Sequence, residues 1–348
     1  MGTPREEGFF MPAEWAPHAR CWMAWPCREE AFGDGLEAAR RAYAEVAQAI
    51  GQFEPVTMIA KPELLAQASL YCGPGIAVLP LAQDDSWTRD TCPTFLVDGK
   101  GGLAGVTWRF NGWGEAYADY GQDAQMARRV LEHLGVRRFT SRTVLEGGAI
   151  TVDGEGTCMV CTPSVLDPKR NPGITKGEAE DELTSFLGVD KVLWLPNGLV
   201  DDETGGHVDN VACFARPGVV LALSADDKAD PSYTRLTENL DVLRAATDAR
   251  GRTLEVVPVP QPKARARHDG RRLSLSYINL YVANGAVVMP AFEDAADQAA
   301  FKAVSAAFPG RQVVQVEALD ILEGGGGIHC ITQQEPDPAA ATNSAEAA

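Results

Sequence analysis

One cysteine follows a run of four glycines near the C-terminal end of the chain, in residues 322–334, LEGGGGIHCITQQ. Glycine permits positive φ and lets a backbone approach a ligand closely. A thiolate is the strongest nucleophile among the ordinary side chains. Cys330 is therefore a candidate nucleophile. The alternative is a glycine-rich turn followed by a buried structural cysteine, and this segment alone is compatible with both.

Three other segments place an acid or a histidine beside glycine or a turn. They are SWTRDTCP at 86–93, LEGG at 145–148 and DDETGGHVDN at 201–210. None forms a recognisable metal motif, and no serine elbow accompanies them. A cysteine, a histidine and several carboxylates suit covalent attack on a planar cation, because carboxylates bind a guanidinium fork in a bidentate way.

The histidine and the three acids of these segments each have an ordinary alternative. His207 and Asp209 would point to the same face if they began a strand, and a histidine can move protons near neutral pH. A surface histidine at a strand entrance is the alternative, and the glycines before it favour function. Asp90 alone could belong to a salt-bridged turn, and Glu146 alone could be a turn residue.

The composition restricts the partners and the location. Acidic residues outnumber basic ones by 48 to 31 in 348 residues, and the net charge is −17. Such a surface repels nucleic acid and anionic lipid. The N-terminus lacks an apolar signal core, and no apolar run is long enough to cross a membrane. We therefore predict a cytoplasmic protein with reduced thiols. The pair Cys158 and Cys161 has no second pair at zinc spacing and is interpreted as structural.

A strand–strand–helix–strand pattern recurs along the chain at intervals of about 60 residues, which indicates a radial repeat. Frequent hairpins disfavour the alternative of an open α/β sheet. Strands at the two ends of the chain are predicted to complete a fifth unit. We predict one domain over residues 1–334 and a disordered tail over 335–348. The predicted hairpins are 93–108, 149–161, 208–223 and 275–289, the helices are 120–134, 176–187, 231–250 and 294–308, and the terminal strands are 21–25 and 328–332.

Several motifs taken together resemble the agmatine deiminases, which are guanidine-modifying enzymes of the five-bladed α/β propeller (pentein) fold. They are MPAEWAPHARCWMAWP, WTRDTCPT, LEGGAI, GHVDN, YINLYVANGAVVMP and GGGGIHCITQQ, in the order of that family. They span most of the chain. The sequence departs from the family at Gly327, where asparagine is common, and at Cys92, where glycine is common.

The resemblance implies a role for each candidate residue. It makes Cys330 the nucleophile and His207 the general acid and base, with Glu146 orienting His207. The substrate-binding residues that it implies are Asp90 and Asp209 for the guanidinium, Trp87 and Glu203 for the distal ammonium, and Gly326 and Gly327 beside the nucleophile.

The reaction implied by the resemblance is hydrolysis of agmatine to N-carbamoylputrescine and ammonia, through an amidino-thioether on Cys330, in polyamine biosynthesis. It implies no metal, no organic cofactor and a homo-oligomer. Alternatives are an amidinotransferase and a deiminase of arginine or peptidyl-arginine. An enzyme for free arginine needs a cation for the substrate carboxylate, and Arg89 is the only arginine in the motifs other than Arg20 of the N-terminal one. A non-catalytic propeller would be expected to lack Cys330 or His207.

Overall fold

The computed structural model describes residues 2–340. Within that range sixteen strands form five small sheets. The strands are β1 His18–Ala24, β2 Val56–Ala60, β3 Ala77–Pro80, β4 Thr94–Val97, β5 Leu103–Arg109, β6 Arg137–Val144, β7 Ile150–Val152, β8 Thr157–Cys161, β9 Lys191–Leu195, β10 Ala212–Arg216, β11 Val219–Ser224, β12 Glu255–Pro260, β13 Tyr281–Ala283, β14 Ala286–Ala291, β15 Gln312–Glu317 and β16 Gln333–Pro336.

Longer helices lie between the strands, and short helical turns lie near their ends. The helices of eight or more residues are α1 Leu36–Ile50, α2 Leu65–Cys72, α3 Met126–Leu134, α4 Lys176–Leu187, α5 Ser232–Ala245 and α6 Asp297–Ala307. The four-residue turns are Glu29–Phe32, Thr88–Thr91, Gly112–Glu115, Thr162–Val165 and Leu319–Leu322.

Four of the sheets repeat one arrangement. A hairpin supplies two antiparallel strands, a helix follows, and the next strand pairs in parallel with the second strand of the hairpin. The helix provides the crossover that a parallel pair requires. The fifth sheet has the order β16-β1-β2-β3, so the two ends of the chain meet in it. The α/β class and the five repeated units predicted from the sequence are confirmed.

The C-terminal end differs from the prediction. Residues 328–332 form a turn, in which the Thr332 N–H donates to the His329 carbonyl at 3.1 Å, and the strand follows as Gln333–Pro336. Glu335 is buried, and its carboxylate accepts the Trp22 indole N–H at 2.8 Å. The predicted start of a disordered tail at 335 is therefore wrong for the two residues that belong to β16. Residues 341–348 lie outside the described part of the chain.

Other differences in secondary structure lie where the chain approaches the site. His207 and Asp209 do not begin a strand, because Val208–Asn210 is a 3₁₀ turn and β10 starts at Ala212. Most of the strand predicted at 275–282 is a loop, in which the Ser276 hydroxyl donates to the Asn210 carbonyl at 2.8 Å. Strand β6, RRFTSRTV, was not predicted from the sequence. Its residues are mostly polar, as suits a strand at the exposed edge of its sheet, so it lacks the apolar pattern of a buried strand.

The largest cluster of buried apolar residues reaches the candidate site. It contains Trp87, Leu322 and Cys330 together with residues from β1, β8, β11 and β14. The turns that carry the site therefore rest on the close-packed interior, which holds side chains in fixed rotamers. Among residues 2–340, no helix combines the length and the apolar character needed to cross a membrane.

Candidate active site

The predicted polar residues meet at one point beside Gly148. A Cβ atom built on Gly148 would lie 2.6 Å from His207 Nδ1, 2.9 Å from Asp209 Oδ2 and 3.0 Å from Asp90 Oδ1. Only glycine leaves room for these three groups to converge. The turns that bring them together are Thr88–Thr91, Gly147–Ala149 and Val208–Asn210. Gly148 of the LEGG motif thus allows these three side chains to approach the backbone closely.

Cys330 lies beside this cluster and is almost fully buried, at 3% exposure. The Asn279 side-chain amide donates to its sulfur at 3.1 Å, and Asp209 Oδ2 is 3.7 Å from the same atom. Burial and the charges of Asp209 and Asp90 raise the pKa of the thiol well above its ordinary value, against the opposing effect of the Gly327 backbone N–H. Without a ligand the sulfur is therefore a neutral thiol.

His207 is completely buried among carboxylates. Its Nε2 is 3.3 Å from Glu146 Oε2, and its Nδ1 is 3.8 Å from Asp90 Oδ1. Burial lowers the pKa of His207, but Asp90, Glu146 and Asp209 outweigh that effect and raise the pKa to about 9. The ring is therefore an imidazolium at neutral pH and can donate a proton.

Glu146 is held by an arginine that was not predicted. Arg170 Nε lies 2.9 and 3.0 Å from the two oxygens of Glu146, and both side chains are buried. Burial raises the pKa of Glu146, but Arg170 and His207 lower it on balance. The carboxylate thus stays ionised next to the imidazolium. Arg170 belongs to the loop segment DPKRNPG, in which nothing local indicates contact with the site.

A strained turn orients Asp90. Its carboxylate accepts the Gly148 N–H at 2.9 Å and the Trp113 indole N–H at 2.8 Å. Trp113 has φ 57° and ψ 50°, inside a turn whose residues Gly112–Glu115 all have positive φ. A left-handed conformation costs a residue other than glycine about 1–2 kcal/mol, and such strain concentrates at functional sites. Trp113 was missed from sequence, although its glycine-flanked setting, NGWG, is a usable signal.

Two buried polar atoms at the centre of the site lack hydrogen-bond partners within residues 2–340. They are His207 Nδ1 and Asp209 Oδ1. The other oxygen of Asp209 is 2.9 Å from the His329 ring nitrogen Nδ1. Because buried polar groups in folded proteins are nearly always paired, these two atoms indicate where a polar ligand binds.

A narrow pocket leads to Cys330. Its walls are mainly aromatic and glycine residues, with one acid at each end. The lining residues are Trp87, Asp90, Trp113, Tyr117, Glu203, Thr204, Gly324, Gly325, Gly326 and Cys330. Aromatic faces of this kind suit an alkyl chain and a cation.

The distal acid, Glu203, is paired with two arginines that the sequence did not indicate. Its Oε1 contacts Arg267 Nη1 and lies 2.5 Å from Arg271 Nη1. Its Oε2 accepts the Tyr117 hydroxyl at 3.1 Å, and a Cβ built on Gly325 would lie 2.7 Å from it. Glu203 therefore presents Oε2 to the pocket, while Oε1 is already engaged.

The predicted glycine pair separates into two environments. Gly326 lines the pocket, and a Cβ on it would lie 2.7 Å from the Trp87 ring and 3.0 Å from Cys330 Cβ. Gly327 instead faces Asn279, whose Oδ1 would lie 2.4 Å from an added Cβ. Gly327 is not among the residues that line the pocket, and its part in substrate binding stays a prediction. Gly327 acts on Cys330 through its backbone N–H.

Across residues 2–340, no group of three or more His, Cys, Asp or Glu side chains could hold a metal ion. The absence of a metal and of an organic cofactor in the reaction remains a prediction.

Comparison with known proteins connects this geometry with a family. The Porphyromonas-type peptidyl-arginine deiminase family matches residues 10–336. The chain belongs to this family. It is 45% identical to the agmatine deiminase of Stutzerimonas stutzeri, over 97% of this chain and 98% of the relative, and 42% identical to that of Medicago truncatula, over 96% and 98%.

A solved member of the group has the same fold. The agmatine deiminase of Enterococcus faecalis superposes with a TM-score of 0.94 at 34% identity, covering 97% of this chain and 98% of that one. The family match over residues 10–336 includes all sixteen strands of the five sheets. The resemblance inferred from the motifs is confirmed, and the chain is an enzyme of the deiminase type.

Proposed function

We propose that the protein hydrolyses agmatine to N-carbamoylputrescine and ammonia. The observation that carries this proposal is the unpartnered oxygen Asp209 Oδ1, on a buried carboxylate that contacts the Cys330 sulfur and converges with Asp90 beside Gly148. A guanidinium is planar and cationic, and its N–H groups can satisfy the two carboxylates at once. The names of the relatives support agmatine as the particular guanidine.

The first half of the proposed reaction forms a bond to sulfur. A guanidinium between Asp90 and Asp209 neutralises the two charges that raise the pKa of Cys330, so substrate binding favours the thiolate, and the thiol proton is released to solvent. The sulfur attacks the guanidinium carbon. His207 gives its proton to one terminal nitrogen, the carbon–nitrogen bond breaks, and ammonia leaves. An amidino-thioether remains on Cys330.

The second half uses the same histidine in its neutral form. His207 takes a proton from a water molecule, whose oxygen attacks the amidino carbon. The carbon–sulfur bond then breaks, the hydroxyl proton of the intermediate is released as the ureido carbonyl forms, and the thiolate and the product separate. His207 finishes as an imidazolium, and a proton returns to the Cys330 sulfur, so the site regains its starting state. Glu146, held by Arg170 at 2.9 Å, stabilises the charged ring at both ends of the cycle.

The ion pair at the distal end of the pocket supports a short substrate over a peptide. Arg267 is only 4% exposed in its side chain, its Nη1 contacts Glu203, and its Nη2 donates to the Ala31 carbonyl at 2.7 Å. We infer that this pair closes the distal end to a polypeptide backbone. Agmatine ends in a single ammonium, which Glu203 Oε2 and the Trp87 face can bind. A cytoplasmic location and a homo-oligomeric state remain predictions.

The direct test measures ammonia and ureido product from agmatine, arginine, a peptidyl-arginine and arcaine. We expect agmatine to give the highest kcat/KM. Release of ammonia only when an amine is added would instead indicate an amidinotransferase. A preference for peptidyl-arginine would contradict the proposal that the distal end is closed.

Asp90→Asn and Asp209→Asn are each expected to raise the KM for agmatine and to lower kcat. A charge-assisted hydrogen bond contributes about 1.5–3 kcal/mol, so each variant should lose roughly ten- to a hundredfold in kcat/KM or more. Steady-state kinetics at matched folded concentration measure the loss. An Asn variant that processes agmatine normally would show that the carboxylate in question does not bind the guanidinium.

Glu203→Gln is expected to weaken agmatine binding while changing kcat little, because residue 203 contacts the distal end and not the reacting carbon. It should also reduce the preference for agmatine over arginine, since a carboxylate on the substrate would no longer meet a negative charge. The matched control is Glu63→Gln, at an exposed glutamate outside the pocket. If both variants kept the wild-type ratio of kcat/KM values, the selectivity would lie elsewhere in the pocket.

A further inference from the structure

His329 is a buried histidine next to the nucleophile, and the proposed reaction gives it no part. It is 4% exposed. Its Nδ1 is 2.9 Å from Asp209 Oδ2, and its Nε2 is 2.9 and 3.1 Å from the two oxygens of Glu14. The ring therefore bridges a carboxylate of the active site and a second carboxylate behind it.

The chemistry of the ring determines its charge in this position. A neutral imidazole has one N–H donor and one acceptor nitrogen, whereas an ionised carboxylate only accepts. Two carboxylates can both be satisfied only if both ring nitrogens carry protons. The charged groups that face the ring are Glu14, Asp209 and Arg89, whose Nη1 is 3.8 Å from Glu14. Positive and negative groups thus alternate from Arg89 to Asp209.

The pKa directions agree with this geometry. Burial raises the pKa of Glu14, but His329 and Arg89 lower it to about 2. Burial and Arg89 lower the pKa of His329, but Glu14 and Asp209 raise it on balance. Each charge therefore stabilises its neighbours in a region from which water is excluded.

The contact with His329 affects Asp209 directly. It engages Oδ2, which is also the oxygen 3.7 Å from the Cys330 sulfur, and it leaves Oδ1 without a partner among the described residues. A carboxylate free to rotate would present either oxygen to a ligand. With Oδ2 held by His329, the carboxylate is fixed in one orientation, and Oδ1 and the second lone pair of Oδ2 remain to accept guanidinium N–H groups.

We propose that His329, as an imidazolium held between Glu14 and Asp209, is a positioning residue that holds the Asp209 carboxylate in one orientation for binding the substrate guanidinium. The inference rests on the proposed guanidine chemistry of the site. His329 touches neither substrate nor the reacting atoms in this proposal and acts through Asp209.

The charge state of the His329 ring is tested in the wild-type protein. Nuclear magnetic resonance of protein with ¹⁵N-labelled histidine distinguishes an imidazolium from a neutral ring, and the chain has five histidines. The spectrum of His329→Asn assigns the signal. We expect both nitrogens of His329 to be protonated at neutral pH. In Glu14→Gln the ring should lose a proton at a lower pH than in the wild type, because one of the two anions is gone. A neutral His329 ring in the wild type would overturn the proposal.

The positioning role is tested by a matched pair of uncharged variants. The amide of His329→Asn can occupy the position of Nδ1 and reach Asp209, whereas the amide of His329→Gln can reach toward Glu14 instead. We expect His329→Gln to lose roughly ten- to a hundredfold in kcat/KM, as for a lost charge-assisted hydrogen bond, and His329→Asn to lose less. If the two variants lost kcat/KM equally, and if that loss matched the fall in the fraction of folded protein, His329 would have only a structural role. That result would contradict the proposal.

Failure of this inference is distinguishable from failure of the proposed function. If the wild type does not hydrolyse agmatine, the proposed function is wrong, and the Asn and Gln variants are compared with the best guanidine substrate of the panel. If the wild type hydrolyses agmatine and the two variants are equivalent, only the role of His329 is wrong.

Discussion

Cys330→Ser is expected to abolish turnover while leaving the fold intact. Serine has nearly the same shape, but its hydroxyl is a far weaker nucleophile than a thiolate and stays protonated beside Asp209 and Asp90. Removing a catalytic nucleophile from a group that acts as a unit costs roughly 10⁴-fold or more in kcat. Ammonia release measures the loss, and agmatine binding to the variant should persist because both carboxylates remain.

The covalent step has its own readout. Mass spectrometry of wild-type protein quenched during turnover should show an amidino adduct on Cys330 and on no other cysteine. Cys27→Ser is the matched control, because Cys27 is a free, half-buried thiol outside the pocket, and it should retain activity and the adduct. A Cys330→Ser enzyme with near-normal turnover would falsify the covalent mechanism.

His207→Ala is expected to block both halves of the reaction. The variant loses the proton donor to the departing nitrogen and the base that activates water. Loss of general acid–base catalysis costs about 10²–10⁴-fold for one step, and here both steps depend on one ring. Single-turnover experiments should show little ammonia from the first half. They should also show slow loss of any adduct that forms.

The pH dependence identifies the ring. With the pKa of His207 near 9, kcat/KM of the wild type should fall as the pH rises through about 9, because the imidazolium loses its proton. The same raised pKa contributes stability that is complete below the ordinary value of 6.5 and is lost as the pH rises through about 9. In His207→Ala both changes near that pH should disappear. If the residual kcat/KM of the variant still fell near pH 9, that fall would belong to the titration of another group.

Residues in short motifs with chemical meaning could be predicted from sequence. Cys330 after the glycines and His207 with Asp209 were candidates from residue type and spacing, Glu146 before Gly148 was assigned a role through the family resemblance, and the structure brings them together. The reason is local, because a glycine that must admit a neighbouring group, or a turn that must present an acid, leaves its mark within a few residues. The repeated hairpins likewise indicated the five-unit α/β fold.

Long-range partners could not be predicted in this way. Arg170 reaches Glu146 across 24 positions, Arg267 reaches Glu203 across 64, and Glu14 reaches His329 across 315. Each lies in a segment with no local signal of its target. Such pairs depend on how separate sheets are placed in space, which spacing along the chain does not express.

The sequence by itself determined the chemical groups of the site, the fold class and the family, because those depend on residue type, local periodicity and motif order. Only the tertiary structure decided how the groups are charged and oriented. Burial raises the pKa of Cys330 and lowers that of His207, and neighbouring carboxylates raise the pKa of both. Contacts between distant turns leave Asp209 Oδ1 open and occupy one oxygen of Glu203. The physical reason is that desolvation and charge interaction depend on distances in space, which exist only once the chain has folded.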